Sequence, residues 1–327
     1  MKVFAGSGDT VCIMIYEDLY SGSIFQSNQY YRALENSKEF SAIRVGSSYG
    51  LSLIGYITKD KNPLKNYLTR RAIISGVSMF AVQDKSQLKD LLLNLKKQLS
   101  GRAIYIEFRN LTDLTEYKSV FASVGFEYED HLNILVDLTK SEEELWKDVN
   151  SKRRNEIRRA TKEGTTFEVR DDIDSLRECY LILKEVYDRA KLPLFKLDFF
   201  ENLYKYLQDD AKLHIFTAVY DEKIIGCMLA LGYNGVLYDY YAGARSEYYK
   251  KYPNDLIPWE VFLWGKRNGY HTFDFGGAGK PGVPYKVRDY KKQFGGTMVN
   301  YGRFKLILNK PLYKIGELGV KLLKKYG

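Results

Sequence analysis

Cysteine and histidine are scarce in this chain, and what there is lies scattered. The three cysteines, Cys12, Cys179 and Cys227, offer neither a CxxC pair nor a disulfide framework, which fits a reducing, cytoplasmic compartment. The three histidines, His131, His214 and His271, show no HExxH or other ligand spacing, so no metal site is expected. No apolar run approaches the roughly 18 residues that cross a bilayer; the longest, Ile224 to Leu231, suits a buried strand. Met1-Lys2-Val3-Phe4-Ala5-Gly6 lacks the apolar stretch of an export signal. Nucleotide and nucleophile signatures are missing too. There is no GxxxxGK[ST] and no GxSxG, and Gly276-Gly277-Ala278-Gly279 is neither a GxGxxG nor followed directly by a helix. A dinucleotide enzyme and a serine or cysteine hydrolase have no support, and no cofactor is expected.

What is plentiful is tyrosine: 28 Tyr against 17 Phe and 3 Trp. Such rings suit half-buried strand positions, and each carries a hydroxyl that can meet a polar ligand. The 327 residues suit about two domains. Lys plus Arg number 50 and Asp plus Glu 41, so the net charge is 50 − 41 = +9, which permits phosphate-rich partners without demanding them.

No Pro/Gly/Ser-rich linker divides the sequence, but its texture changes near residue 145. In the first part, Gln26 to Asn36 reads as a helix, and Glu39 to Val45 and Gly50 to Thr58 as strands across a Gly46-Ser47-Ser48 turn. Arg71 to Ala81 follows as a strand and Ser86 to Leu99 as a leucine-rich helix. Ala103 to Phe108, Thr115 to Val124 and Asn133 to Leu138 read as strand, helix and strand. In the second part, Ser141 to Lys162 reads as one long helix stopped by Gly164. Thr166 to Arg170 is a strand, and Asp174 to Ala190 and Asp198 to Leu207 are helices. Lys212 to Tyr220 and Lys223 to Gly232 form a hairpin across Asp221-Glu222, with a further strand to Tyr241. Asp255 to Arg267 is a helix, Thr272 to Phe275 and Thr297 to Lys305 are strands, and Pro311 to Lys325 is a basic helix. The order predicts one α/β module used twice, with largely antiparallel sheets. The expected division is 1–145 and 146–310, with 311–327 completing the first domain. In the last helix Leu312, Ile315, Leu318 and Leu322 form an apolar stripe suited to docking on the first domain. Lys314, Lys321, Lys324 and Lys325 would instead suit contact with a membrane surface.

Three stretches could carry chemistry. In Ser151 to Lys162, Arg154, Arg158 and Lys162 share a helical face, flanked by Lys152 and Arg159. That density suits a polyphosphate or an RNA backbone, or a solvated helix partly paired with Glu142 to Glu144. In Tyr238-Asp239-Tyr240-Tyr241-Ala242-Gly243-Ala244, strand alternation points Tyr238 and Tyr240 one way and Asp239 and Tyr241 the other. These line a cleft or make a cross-strand aromatic pair. Phe273-Asp274-Phe275-Gly276-Gly277 and Asp289-Tyr290-Lys291-Lys292-Gln293-Phe294-Gly295-Gly296 place glycines where a ligand can approach the backbone. A lysine there can offset an oxyanion in acyl transfer.

Taken together, these stretches resemble the Fem family of aminoacyl-tRNA-dependent peptidyltransferases (FemA, FemB, FemX), which build amino-acid bridges on peptidoglycan precursors. Ser23-Ile24-Phe25-Gln26-Ser27 is similar to the family's opening, Asn133-Ile134-Leu135-Val136-Asp137-Leu138 to its mid-chain strand, and Arg153 to Ala160 to its basic helix. Tyr241-Ala242-Gly243, Phe273 to Gly277 and Tyr290 to Gly295 resemble its later signatures. The resemblance implies two tandem GNAT-type acyltransferase domains. FemA and FemB's long helical arm has no counterpart, so the shorter FemX-like form is nearer. It also implies roles for residues that match. Lys291, after aromatic Tyr290, would contact charge at the reacting ester; Arg189 would contact precursor phosphate; Tyr241 would line the same cleft, with Asp239 beside it; Arg32 would supply a first-domain basic contact. One position departs: the family's Asp after a first-domain strand is Arg109 here.

The leading expectation is transfer of an aminoacyl group from aminoacyl-tRNA to an amine of a phosphorylated peptidoglycan or polysaccharide precursor. Lys152, Arg154, Arg158 and Lys162 would contact the tRNA. An activated ester needs positioning and charge stabilisation more than a nucleophilic triad. The alternative is an acyl-CoA-dependent GNAT acyltransferase, although Gly243 to Tyr249 lacks the [QR]xxGx[GA] turn that holds CoA in those enzymes. A third reading is a non-catalytic binder of RNA or precursor.

Overall fold

The computed structural model describes residues 22–46, 52–77, 84–208 and 212–326, with side chains of the final helix described to residue 319. Cys12, the Ser47-Ser48 turn, the Gly50 end of the second strand and the 78–81 end of the third lie outside the described residues. So do the side chains of Lys321, Leu322, Lys324 and Lys325.

The first half runs α1 (Asn28–Glu35), β1 (Phe40–Gly46), β2 (Ser52–Thr58), α2 (Pro63–Thr69), β3 (Ala72–Ser75), α3 (Lys85–Leu99), β4 (Tyr105–Arg109), α4 (Lys118–Val124) and β5 (Glu127–Glu129). The second runs β6 (Leu132–Asp137), α5 (Glu142–Asp148), α6 (Ser151–Lys162), β7 (Thr166–Arg170), α7 (Ile173–Arg189), α8 (Leu197–Leu207), β8 (Leu213–Tyr220), β9 (Lys223–Tyr233), β10 (Val236–Ala244), α9 (Pro253–Arg267), β11 (Thr272–Gly277), α10 (Lys286–Lys291) and β12 (Thr297–Asn300). β13 (Arg303–Ile307) and α11 (Lys310–Tyr326) close the chain.

Two mixed sheets result, ordered β1-β2-β3-β4-β13-β5 and β12-β6-β11-β10-β9-β8-β7. In each, one neighbouring pair is parallel, β3/β4 and β10/β11. Strand alternation splits the first sheet into two unlike faces. Ile106 and Phe108 of β4, with Phe304 and Leu306 of β13, bury one face against the leucines of α3 and Phe121 of α4. The other face carries Tyr105, Glu107 and Arg109 beside Arg303 and Lys305, and looks toward the second sheet. That second sheet is buried on both sides, which explains the unbroken apolar run of β9. The β8–β9 hairpin turns at Asp221 and Glu222, both with positive φ (50° and 59°), as a two-residue loop requires.

A third apolar core fastens the halves together. Ile24, Phe25, Leu34 and Phe40 from the first meet Leu176, Phe199 and Phe200 from α7 and α8. Gln26 of the opening motif has a structural task. Its amide donates to the carbonyls of Ile54 (2.9 Å) and Ser75 (2.7 Å) and accepts from the Ile54 N–H (2.8 Å), stitching β2 to β3.

Several expectations are corrected. The long helix at 141–162 is two helices: Val149 turns into the core, and the Asn150 side chain caps α6 by accepting from the Lys152 N–H. The strand expected over Thr297–Lys305 is β12 and β13, in different sheets. They break at Gly302 (φ +65°), where a Cβ would stand 2.2 Å from the Tyr128 ring. The chain likewise passes between sheets at Asp130–His131 rather than at 145, because β5 pairs in the first sheet and β6 in the second. The two crossings lie side by side, with the Gly302 N–H bonded to the His131 carbonyl (3.1 Å). In α11 only part of the apolar stripe docks. Leu312 is buried and Tyr313 packs edge-on against Tyr105, whereas Ile315 and Leu318 are 51% and 59% exposed. The helix packs on α2, Gly316 lying against the Leu68 carbonyl. No helix among the described residues is long and apolar enough to cross a membrane.

Candidate functional site

The parallel pair in the second sheet is short. β10 and β11 match only at Val236–Tyr238 with Thr272–Asp274. Just beyond, β10 bulges between Asp239 and Tyr241 and β11 between Asp274 and Gly277. Two bulges at one height part the strands, because each breaks the ladder and bends its strand. The gap opens into a cleft of about 1270 Å³ between the two sheets. The β10 bulge also overturns the expected alternation, and Tyr238, Asp239, Tyr240 and Tyr241 all line the cleft.

At the parting, carboxylates and an ammonium gather. Asp274 is 1% exposed; it accepts the Gly276 N–H (2.7 Å) and lies 3.4 Å from the Asn133 amide. Burial pushes it up to about 6, although Gly276, Asn133 and the Lys291 charge pull the other way. Half-buried Asp239 is also raised by burial and drawn down by Lys291, and no hydrogen bond reaches its carboxylate among the described residues. Lys291 comes from α10, an element the sequence reading lacked. Its Nζ donates to the Phe275 carbonyl and, at 3.4 Å, to the Gly277 carbonyl, so the ammonium lies beside the Gly276–Gly277 backbone, which carries no side chain.

The opposite wall is cationic. Arg109 and Arg303 are cross-strand partners, and buried Glu107 takes Nε of the first (2.8 Å) and Nη1 of the second (3.2 Å). Arg71 stands nearby with Tyr105. Between this wall and the parted strands sit Asn133, Gly277 and His131; burial and the Arg303 charge hold the imidazole down to about 4. Aromatic residues close the back: the Tyr30 and Tyr240 hydroxyls meet at 3.2 Å, and Tyr241 packs edge-on against Phe200.

Asp239 and Tyr241 therefore line the cleft and Lys291 adjoins it; the other anticipated residues lie elsewhere. The Tyr290 hydroxyl donates to the Asn254 carbonyl, and its ring packs on Phe294 near Arg153. Arg189 is exposed, bonded to Glu185 and Tyr249, and Arg32 is exposed on α1; neither lines the cleft. In the basic helix, Arg154 is spent on the carbonyls of Trp146, Lys147 and Val149 at the end of α5. Arg158 lies over the Trp146 ring, while Lys152 and Lys162 are exposed. Arg153 holds Asp255, Glu156 and Gln293. Sequence reasoning missed Asp274, Asn133, Arg303, His131 and Tyr56 as cleft residues. The one local signal was for the wall that Arg303 joins: Glu107 and Arg109 alternate with apolar residues along β4.

Residues 151–292 match the family model "Acetyltransferase (GNAT) domain". With two mixed sheets, each holding one short parallel pair, the chain has the fold of GNAT-type acyltransferases in a tandem α/β arrangement. Within that class the chain is similar to two lipid II:glycine glycyltransferases and, in fold, to FemX. The Lipid II:glycine glycyltransferase of Staphylococcus haemolyticus (strain JCSC1435) is 20% identical, over 72% of this chain and 76% of its own length. That of Staphylococcus aureus is 23% identical over 57% of this chain, which spans 61% of it. The crystal structure of FemX superposes with a TM-score of 0.69 at 17% identity, covering 92% of this chain and 96% of FemX.

Proposed function

We propose that this protein transfers an aminoacyl group from aminoacyl-tRNA to an amine of a peptidoglycan-type precursor, at the cytoplasmic side. The observation that carries the reading is the Lys291 ammonium set against Asp239 and Asp274 where β10 and β11 part. In this scheme the acceptor nitrogen attacks the ester carbonyl and an N–C bond forms. Asp239 takes the ammonium proton, and the C–O bond to ribose breaks as its oxygen regains a proton. Lys291 keeps one N–H and its full charge for the oxyanion of the tetrahedral intermediate. The relatives named Lipid II:glycine glycyltransferase support the acceptor class.

The start of α9 argues for the ester donor over acyl-CoA. A CoA diphosphate is held by free N–H groups at a helix start. Here α9 begins at Pro253, which has no N–H, and the Asp255 and Leu256 N–H groups both turn to the Tyr252 carbonyl (3.1 Å). Just before it, the Ser246 N–H is bonded to Glu185 (3.0 Å).

The test is direct. The purified chain is incubated with charged tRNA or with acyl-CoA, together with lipid-linked and nucleotide-linked precursors, and the acceptor is weighed by mass spectrometry. An aminoacyl mass gained only with charged tRNA is expected. Acylation only from CoA would overturn the donor, and no product from either would overturn the reading.

A further inference from the structure

The cleft holds two poles of opposite charge that do not neutralise each other. On one side Arg109 and Arg303 share the single carboxylate of Glu107, which leaves Nη1 and Nη2 of Arg109 and Nη2 of Arg303 without protein partners among the described residues. Among the described residues the Tyr56 hydroxyl on the same wall, in a residue 7% exposed, has no hydrogen-bond partner either. On the other side, the Asp239 carboxylate makes no hydrogen bond and no ion pair among the described residues.

Asn133 and Gly277 join the two poles. The Asn133 amide lies 3.4 Å from Asp274, Asn133 pairs across the ladder with Gly277, and a Cβ on Gly277 would stand 4.0 Å from Nη2 of Arg303 and 3.5 Å from the His131 ring. Buried polar groups left unsatisfied are costly, and unpaired ones facing a cleft mark where a ligand supplies the partner. Guanidinium groups present forked donors suited to an oxyanion, and carboxylates suit an ammonium.

We propose that the acceptor is zwitterionic: its amine lodges at Asp239 and Asp274, and an oxyanion carried within a few bonds of that amine lodges between Arg109 and Arg303. This rests on the acyl-transfer reading of the same cleft and adds which amines it accepts. An amine with no neighbouring anion would leave both guanidinium groups facing empty solvent, and pays for it in affinity. Carboxylate and phosphate share the chemistry required, and the test separates them.

Three probes differ only beside the amine: alanine, alaninamide and 1-aminoethylphosphonate, each titrated by ligand-observed NMR. Wild-type protein is expected to bind alanine or the phosphonate at least ten-fold more tightly than alaninamide, and the tighter of the two names the oxyanion. Arg109→Gln and Arg303→Gln, made singly so that Glu107 keeps one partner, should erase that preference while leaving alaninamide binding unchanged. Arg109→Lys, which keeps the charge but loses the fork, should retain part of it. Asp239→Asn should weaken all three. Equal binding of the three probes, no binding at 10 mM (a concentration roughly at the weak limit of specific recognition), or a preference that survives both arginine variants would overturn the proposal. Aminoacyl transfer to amines without such a preference would sink this inference alone. A clear preference with no aminoacyl transfer would sink the function and leave the inference standing.

Discussion

Replacing Lys291 by methionine separates a charge that serves the reaction from one that holds the fold. The side chain donates to two carbonyls, Phe275 and Gly277, at a half-buried position. Each such bond contributes about 1 kcal/mol net, so stability should fall by about 1–2 kcal/mol, a few degrees in Tm. Out of a typical total of about 5–15 kcal/mol, that leaves the protein folded at assay temperature. Loss of one preorganised oxyanion partner costs about 100- to 1,000-fold in turnover, or about 2.7–4 kcal/mol. The catalytic effect therefore exceeds the structural one, and kcat should fall while the acceptor KM stays within about three-fold. The pH profile supplies an independent readout. Burial raises Asp274 to about 6, and Lys291 holds both it and Asp239 down. Activity that needs an ionised carboxylate rises with pH through that range, so removing the ammonium should move the rising limb to higher pH. Lys292 is exposed, and Lys292→Met should keep most activity. Steady-state kinetics of both variants between pH 5 and 9 decide the matter. Equal activities near wild type, or a limb that does not move, would refute the role given to Lys291.

Two further outcomes follow from how the basic helix is used. Arg153→Met strips the shared partner from Glu156 and from Asp255, which is 6% exposed, and should cost about 3–5 kcal/mol. Burial has raised Asp255 to about 6, so the folded state binds its proton first and stability contributed by that proton is lost as pH rises from about 4 through about 6; the Tm deficit of the variant should be larger at pH 8 than at pH 5, and a deficit absent at both would refute the network. For tRNA contact, Lys152→Glu with Lys162→Glu should weaken binding and flatten its salt dependence in a filter assay without loss of Tm, since both are exposed. Unchanged binding would remove α6 from the tRNA path.

Much of the architecture was legible because it depends on local patterning. The leucine spacing of α3, the Asp221-Glu222 turn and the long apolar β9 each declare an element through periodicity or turn chemistry. The site was legible only as motifs. Lys291, Asp239 and Tyr241 sit in recognisable stretches, but Arg303 meets Arg109 across nearly two hundred positions, and no local pattern states a cross-strand pairing of that reach. The bulge at Asp239–Tyr241 is similarly silent in sequence, since it adds one residue without any glycine or proline to mark it. The basic helix misled for the opposite reason. Charge density reads as surface, yet Arg153 and Arg154 are turned inward to cap and pair. Partners eight or a hundred residues away decided that.

The paired crossings between the sheets impose an order on synthesis. β13 lies inside the first sheet, between β4 and β5, yet it is made from residues 303–307, after every strand of the second sheet. While the ribosome is still producing the second half, the first sheet would stand with a strand-wide slot between β4 and its edge strand β5, flanked by the apolar side chains of Ile106, Phe108 and Phe121. Such an unfilled slot is an exposed edge awaiting its own chain. The first half is thus the earlier to emerge and the later to be finished. Arg303, arriving on the strand that fills the slot, completes the cationic wall of the cleft at the same moment. A nascent chain cut short before residue 303 would hold the parted strands and Lys291 but half of the arginine pair, so the cleft is complete only on a chain that has been made through β13.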